Sequence, residues 1–206
     1  MDKKSLAIIL SKLKEPKSPK PSLEQYTIPG DLAAEILNLA YLHGDIKDKD
    51  VFDFGTGSGR LAIGASLLGA KSVVGIDIDK VVLKTAVENK REIGLERENL
   101  FFVCCDIEKW NSKADTILQN PPFGIQTIHA DRVFLKKALE CGEKIYSLHR
   151  GGYKKTREFL IKFVEENGGF VRNVIKFKFA LPYTFKFHKK PIVRYDVDLY
   201  VIERIN

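Results

Sequence analysis

Cysteine, methionine and tryptophan are scarce in this chain of 206 residues, at three, one and one. Cys104 and Cys105 are adjacent, Cys141 stands alone, and no C-x-x-C pair occurs. That spacing offers neither a disulfide framework nor a zinc site, so no metal and a reducing compartment are expected. Long hydrophobic runs are missing too. Asp2, Lys3 and Lys4 precede an amphipathic stretch too brief for a signal peptide or a membrane span, which predicts a cytoplasmic chain with no membrane partner. Acid falls short of base, 27 residues against 34, for a formal charge of +7. The surplus favours a polyanionic partner such as nucleic acid, although a solvated basic surface gives the same sum. What is present is a full complement of core-forming residues, 44% apolar, in a length that suits one domain. The expected division is a helix and connector over 1–28 and a main domain over 29–206.

Leu6, Ile9, Leu10 and Leu13 recur at helical spacing and predict a helix over 4–13. Pro16, Pro19 and Pro21 break regular structure after it. Gln25, Tyr26 and Thr27 then lie in a loop before a helix opened by Pro29 and Asp31 and reaching Leu42. Apolar runs at 51–54, 72–77, 100–104, 115–119 and 144–148 read as buried strands, and the segments at 79–93, 131–140 and 153–167 as helices. Two β-rich runs, 170–180 and 192–202, close the chain. Alternating βα units followed by an antiparallel pair predict an α/β fold with a mostly parallel, doubly wound sheet.

Three strand ends carry chemistry. The first strand, with Asp53 next to its end, runs into Gly55-Thr56-Gly57-Ser58-Gly59. Such a turn lets backbone approach a ligand closely and offers the free N–H groups of a helix start. The second strand ends in Asp77, where a carboxylate can hold ribose hydroxyls, with Asp79 the better helix cap. The fourth strand runs into Asn120-Pro121-Pro122-Phe123. In open α/β sheets ligands bind at that end. The two prolines stiffen the loop and leave carbonyls free to accept. The Asn120 oxygen and the Pro121 carbonyl can each accept one proton of an exocyclic amino group, while Phe123 stacks on the ring. A dinucleotide or S-adenosylmethionine (SAM) would suit a Gly-rich turn with an acid after the next strand. The glycines here read G-x-G-x-G, not the G-x-G-x-x-G of dinucleotide turns, and Asp53 takes a position usually apolar in those strands.

The joint pattern resembles the class I SAM-dependent methyltransferases, with Asp106 matching the acid that contacts the adenine amino group of SAM and Asn120 to Phe123 matching the N-P-P-[FY] loop of amino methyltransferases. Further stretches, Leu23-Glu24-Gln25-Tyr26, Tyr146-Ser147-Leu148-His149 and Phe185-Lys186-Phe187-His188-Lys189-Lys190, are similar to the family that methylates adenine N6 in small-subunit rRNA. The resemblance implies a seven-stranded Rossmann-like sheet with helices on both faces. It implies SAM contacts from Gln25, Thr27 (one place earlier than usual, with Ile28 at the family position), Asp53, Gly55, Gly57, Ser58, the Arg60 backbone, Asp77, Asp106, Ile107 and Asn120. It further implies that the third strand lies at a sheet edge, where a small zinc-binding activator protein can add, as eukaryotic members require one. Catalysis would rest on Asn120, Pro121, Pro122 and Phe123, with the target base unstacked from its RNA. Lys186, His188, Lys189 and Lys190, interleaved with Phe185 and Phe187, would form the RNA contact; an edge strand protected by lysines has the same pattern. His149 can be packed or can line the cleft. Arg150 and Lys154 to Arg157 read as a solvated helix start. Related loops in DNA adenine and protein glutamine methyltransferases, and a non-catalytic RNA-binding subunit with this fold, remain alternatives. The former pair would need a target-recognition insert or an N-terminal helical domain, for which little room is visible.

Overall fold

The computed structural model describes all residues except 17–19, 21–23, 96–98, 124–129, 183–191 and 206. Its frame is one sheet of seven strands: β1 (Asp50–Phe54), β2 (Ser72–Asp77), β3 (Leu100–Cys104), β4 (Ala114–Gln119), β5 (Gly142–Arg150), β6 (Gly169–Pro182) and β7 (Ile192–Arg204). The spatial order is β3-β2-β1-β4-β5-β7-β6. The first five strands pair in parallel, and β7 pairs antiparallel with both β5 and β6. The order reverses between β1 and β4. Ligands of open α/β sheets bind at such a switch point, beyond the carboxyl ends of the strands.

The helices are α1 (Lys3–Lys12), α2 (Gly30–Leu42), α3 (Arg60–Leu67), α4 (Lys80–Glu92), α5 (Ala130–Cys141) and α6 (Lys154–Glu166). They cover the sheet in two layers, and the buried apolar residues accordingly form two clusters. One joins α1, α2 and α3 to one face of the sheet through Leu10, Leu37, Ile63 and Leu118. The other joins α5 and α6 to the opposite face through Leu135, Leu160, Ile117 and Tyr200. Close packing in the first layer depends on a missing side chain. A Cβ on Gly64 would come within 2.3 Å of Leu37 Cδ1, so α2 lies directly on α3. Among the described residues no helix is long and apolar enough to cross a membrane.

β2 and β3 fall on the expected residues. β5 runs from Gly142 to Arg150, longer than the expected 144–148, because antiparallel pairing to β7 carries it on through Arg150 opposite Val197. The segment from 154 to 157 is not simply solvated. Arg157 makes a two-point ion pair with the buried Asp198 of β7, Nε–Oδ2 at 2.5 Å and Nη2–Oδ1 at 3.0 Å. The edge position of β3 is as expected, and α1 does not cover it, lying against α2 and α3 instead.

Candidate active site

A cleft of ≈ 260 Å³ opens above the carboxyl ends of β1, β2 and β4, with the connector before α2 forming one wall. Gln25, Thr27, Asp53, Gly55, Gly57, Ser58, Arg60, Asp77, Asp106, Ile107 and Asn120 all line it. Pro122 lines it too. Pro121 is buried, and Phe123 packs against the first apolar cluster, so neither forms part of the wall. The candidate RNA contacts Lys186, His188, Lys189 and Lys190 lie outside the described residues.

The turn after β1 owes its shape to glycine. Gly59 holds φ at +83°, and a Cβ there would sit 2.9 Å from Phe102 Cζ. Asp53 ties the turn down: its Oδ2 accepts from Thr56 Oγ1 at 2.6 Å and from Ala62 N at 3.0 Å. Burial pushes its carboxyl up to about 7; these two hydrogen bonds act against the shift and the nearby Asp77 charge adds to it. Asp77 accepts from Gly57 N and Asp79 N, both at 2.9 Å. Burial raises its pKa, with the backbone hydrogen bonds opposing. A carboxylate fixed by two backbone donors keeps lone pairs for further donors.

The connector is bound to this turn by groups far away in the chain. Gln25 Nε2 donates to Asp79 Oδ2 at 3.0 Å, and its Oε1 accepts from Lys20 N at 2.7 Å. Lys20 Nζ lies 2.9 Å from the same Asp79 oxygen. Burial works against the Asp79 charge, but Lys20 and Gln25 outweigh it and its pKa falls. The buried Arg60 side chain turns to the connector, donating to the carbonyls of Ile28 and Leu13. Asn89 was not singled out in the sequence. Wholly buried on α4, it accepts from Lys14 N at 2.8 Å and donates to Lys14 O at 3.0 Å and Ser58 O at 2.9 Å. The available signal was an Asn in the apolar row Val82, Ala86 and Ile93.

Asn120 sits at the end of β4. Its Nδ2 donates to the Tyr26 carbonyl at 3.2 Å, while its buried Oδ1 has no partner among the described residues. An orphaned buried acceptor is costly, and such an atom in a cleft marks a place for a donor from outside. Below it runs a polar chain: Gln119 Nε2 donates to Ser147 Oγ at 2.8 Å, and Ser147 Oγ is 2.7 Å from His149 Nε2. His149 is buried against the Tyr200 ring at 5.3 Å, and burial lowers its pKa to about 4. It is therefore a packed, neutral imidazole and does not line the cleft.

Sheet order, switch-point cleft, glycine turn and strand-end acids together define a class I SAM-dependent methyltransferase. A family model described as Ribosomal protein L11 methyltransferase (PrmA) matches residues 35–121, the stretch from α2 to the loop after β4. A solved structure of a proposed RNA methyltransferase from Pyrococcus horikoshii is 42% identical, covers 100% of this chain and 99% of its own, and superposes with a TM-score of 0.92. Magnesium protoporphyrin IX methyltransferase from Synechocystis, solved with SAM, shares the fold at a TM-score of 0.66 and 16% identity, with 98% of each chain covered. The rRNA N(6)-adenosine-methyltransferase Mettl5 of Drosophila melanogaster is 34% identical over 90% of this chain and 88% of its own. The chain belongs to this family of rRNA N6-adenosine methyltransferases.

Proposed function

We propose that the protein transfers the methyl group of SAM to the exocyclic N6 of an adenine in small-subunit rRNA. The observation that carries this reading is the Asn120 carboxamide, held through its nitrogen by Tyr26 and presenting a buried oxygen with no partner among the described residues. The cleft fits the cofactor. Asp77 offers acceptors suited to ribose hydroxyls, Ile78 and Ile107 offer apolar surface for a base, and Asp106 stands beside Ile107. The glycine turn leaves the space a side chain would fill.

SAM supplies an electrophilic methyl group on a sulfonium. The target nitrogen is a poor nucleophile because its lone pair is delocalised into the adenine ring. Asn120 Oδ1 and the Pro121 carbonyl each accept one amino proton and favour a pyramidal nitrogen with its lone pair freed. Both acceptors also stabilise the positive charge that develops on that nitrogen, a case of preorganised electrostatics with aligned reactants. The stiffness of Pro121 and Pro122 limits the reorganisation this requires. Phe123, half-buried beside the loop, supplies stacking once the base is unstacked from its RNA.

The same reading places the protein in the cytoplasm with its ribosomal substrate. It also gives the exposed edge of β3 to a small zinc-binding activator protein. Phe101 on that edge is 54% exposed, and neither Lys nor Pro guards the strand.

Incubation with labelled SAM and unmodified small-subunit rRNA, followed by mapping of the product, tests the reaction. One methylated adenine at N6 is expected. Asn120→Ala should lower turnover about a hundredfold or more, as loss of a transition-state hydrogen bond does elsewhere, with SAM affinity and fold retained. Turnover within a few-fold of the wild type would remove Asn120 from the mechanism.

A further inference from the structure

Two guanidiniums on the catalytic end of the sheet have no carboxylate partner among the described residues. Arg150 lies 5.8 Å from the Tyr153 ring centre and Arg132 lies 4.3 Å from that of Phe159. Both rings are exposed, Tyr153 at 58% and Phe159 at 42%. A cation stacked on a solvent-facing aromatic ring keeps its N–H groups free, and the ring supplies a surface on which a base can stack. Lys154 and Lys155 stand beside Tyr153, also exposed. Glu158, itself exposed, lies 3.6 Å from Lys154, and the exposed Asp196 lies beside Gly152.

The fold puts this cluster next to the cleft. β4 and β5 run parallel with Gln119 beside Ser147, so Asn120 and Arg150 leave the sheet at the same end. The cofactor residues Asp53, Asp77 and Asp106 occupy the β1–β2–β3 half. An RNA whose adenine reaches Asn120 is therefore left with the β5 half for its flanking nucleotides. The surface there is rigid. Arg157 is clamped to the buried Asp198, Gly151 N donates to Asp196 O at 2.8 Å, and a Cβ on Gly151 would meet Asp198 Oδ1 at 2.8 Å.

We propose that Arg132, Arg150, Tyr153, Lys154, Lys155 and Phe159 form the seat for the RNA segment flanking the target adenine. The cations contact phosphates, and the Tyr153 ring stacks an unpaired base. This rests on the methyltransferase reading above and adds to it a docking face on α5 and α6.

The test uses the full chain and transcribed small-subunit rRNA. Arg150→Gln, Lys154→Gln and Lys155→Gln are combined, Tyr153→Ala is made separately, and Lys47→Gln, Lys49→Gln and Lys71→Gln at the opposite end of the sheet give a control of equal charge. RNA affinity is measured across a salt series in an Asn120→Ala background, and steady-state kinetics in the active enzyme. The triple variant should bind RNA at least about tenfold more weakly. Its log–log salt slope should be shallower by about two, for three lost contacts to single-stranded phosphates. KM for RNA should rise while kcat and SAM affinity stay unchanged. Tyr153→Ala should weaken binding without changing the slope, and the control should do neither. Methyl transfer with affinity and slope indifferent to these residues, or moved equally by the control, would overturn the docking face and leave the reaction standing. Salt-dependent RNA binding through this face without any methyl transfer would overturn the reaction and leave the face standing.

Discussion

At the scale of single residues, two buried groups change stability with pH in opposite directions. The Asp53 carboxyl is raised to about 7 from an ordinary 3.8, chiefly by burial. Between those values the folded chain keeps a proton that the unfolded chain has released, so this group lowers stability as pH rises through the window. His149 is lowered to about 4 from 6.5, again by burial. Between 6.5 and 4 the unfolded chain takes up a proton that the folded chain refuses, so this group lowers stability as pH falls. Asp53→Asn keeps an acceptor for Thr56 and Ala62 without the buried charge. Its unfolding free energy should exceed that of the wild type by an amount that grows from pH 4 to pH 7, up to about 4 kcal/mol at 1.36 kcal/mol per unit. His149→Gln should gain on the wild type in the opposite direction, as pH falls from 6.5. Thermal unfolding of the three proteins across this range checks both signs, and parallel curves would refute the assignment. Neither effect was legible in the sequence. It shows that Asp53 lies next to the end of a strand and that a histidine follows Leu148, but burial is set by packing from both layers. Asn120 was legible as an acceptor at a strand end. Its tether to the Tyr26 carbonyl, 94 residues away, was not.

At the scale of elements, apolar runs bounded by acids or glycines were enough to place β2 and β3, because parallel strands buried on both faces leave little else to read. The connector was read only as a loop broken by prolines, because what gives it a shape lies elsewhere: Asp79, Asn89 and Arg60 all reach it from later in the chain. Asn89 is central, since one side chain satisfies both backbone groups of Lys14 and holds the Ser58 carbonyl of the glycine turn. Asn89→Ala leaves these groups short of partners in a buried place, which should cost about 2–3 kcal/mol. In a chain of this size that is a fall of about 5–10 °C in melting temperature. SAM affinity should weaken as well, because the turn and the connector form facing walls of the cleft. Calorimetric titration and thermal unfolding measure the two effects. A melting temperature within about 1 °C of the wild type would mean that Asn89 is not what joins them.

At the scale of the whole molecule, the sheet ends in two edge strands, β6 and β3. β6 has β7 on one side, β3 has β2 on one side, and among the described residues no strand lies beyond either. The sequence marked β3 as an edge only through the order typical of the fold. It could not show which residues face outward, since Phe101 and Phe102 differ by one place and by a whole face. Phe101 and Cys104 are exposed, while Phe102 packs under the glycine turn, within 3 Å of where Cβ atoms of Gly59 and Gly75 would sit. A strand added beside β3 would satisfy its outward N–H and C=O groups, cover Phe101, and press Phe102 against the turn that lines the cleft. The proposed activator therefore acts on cofactor binding, not on the Asn120 loop. Co-expression with the small zinc-binding protein of the same organism should give a complex in which residues 100–104 gain protection from hydrogen exchange. SAM should bind more tightly to the complex than to the single chain, and Phe101→Asp should abolish the complex while leaving the single chain folded. A single chain already protected at 100–104 and equally active without the partner would refute the proposal, because no outward groups would then remain for an added strand.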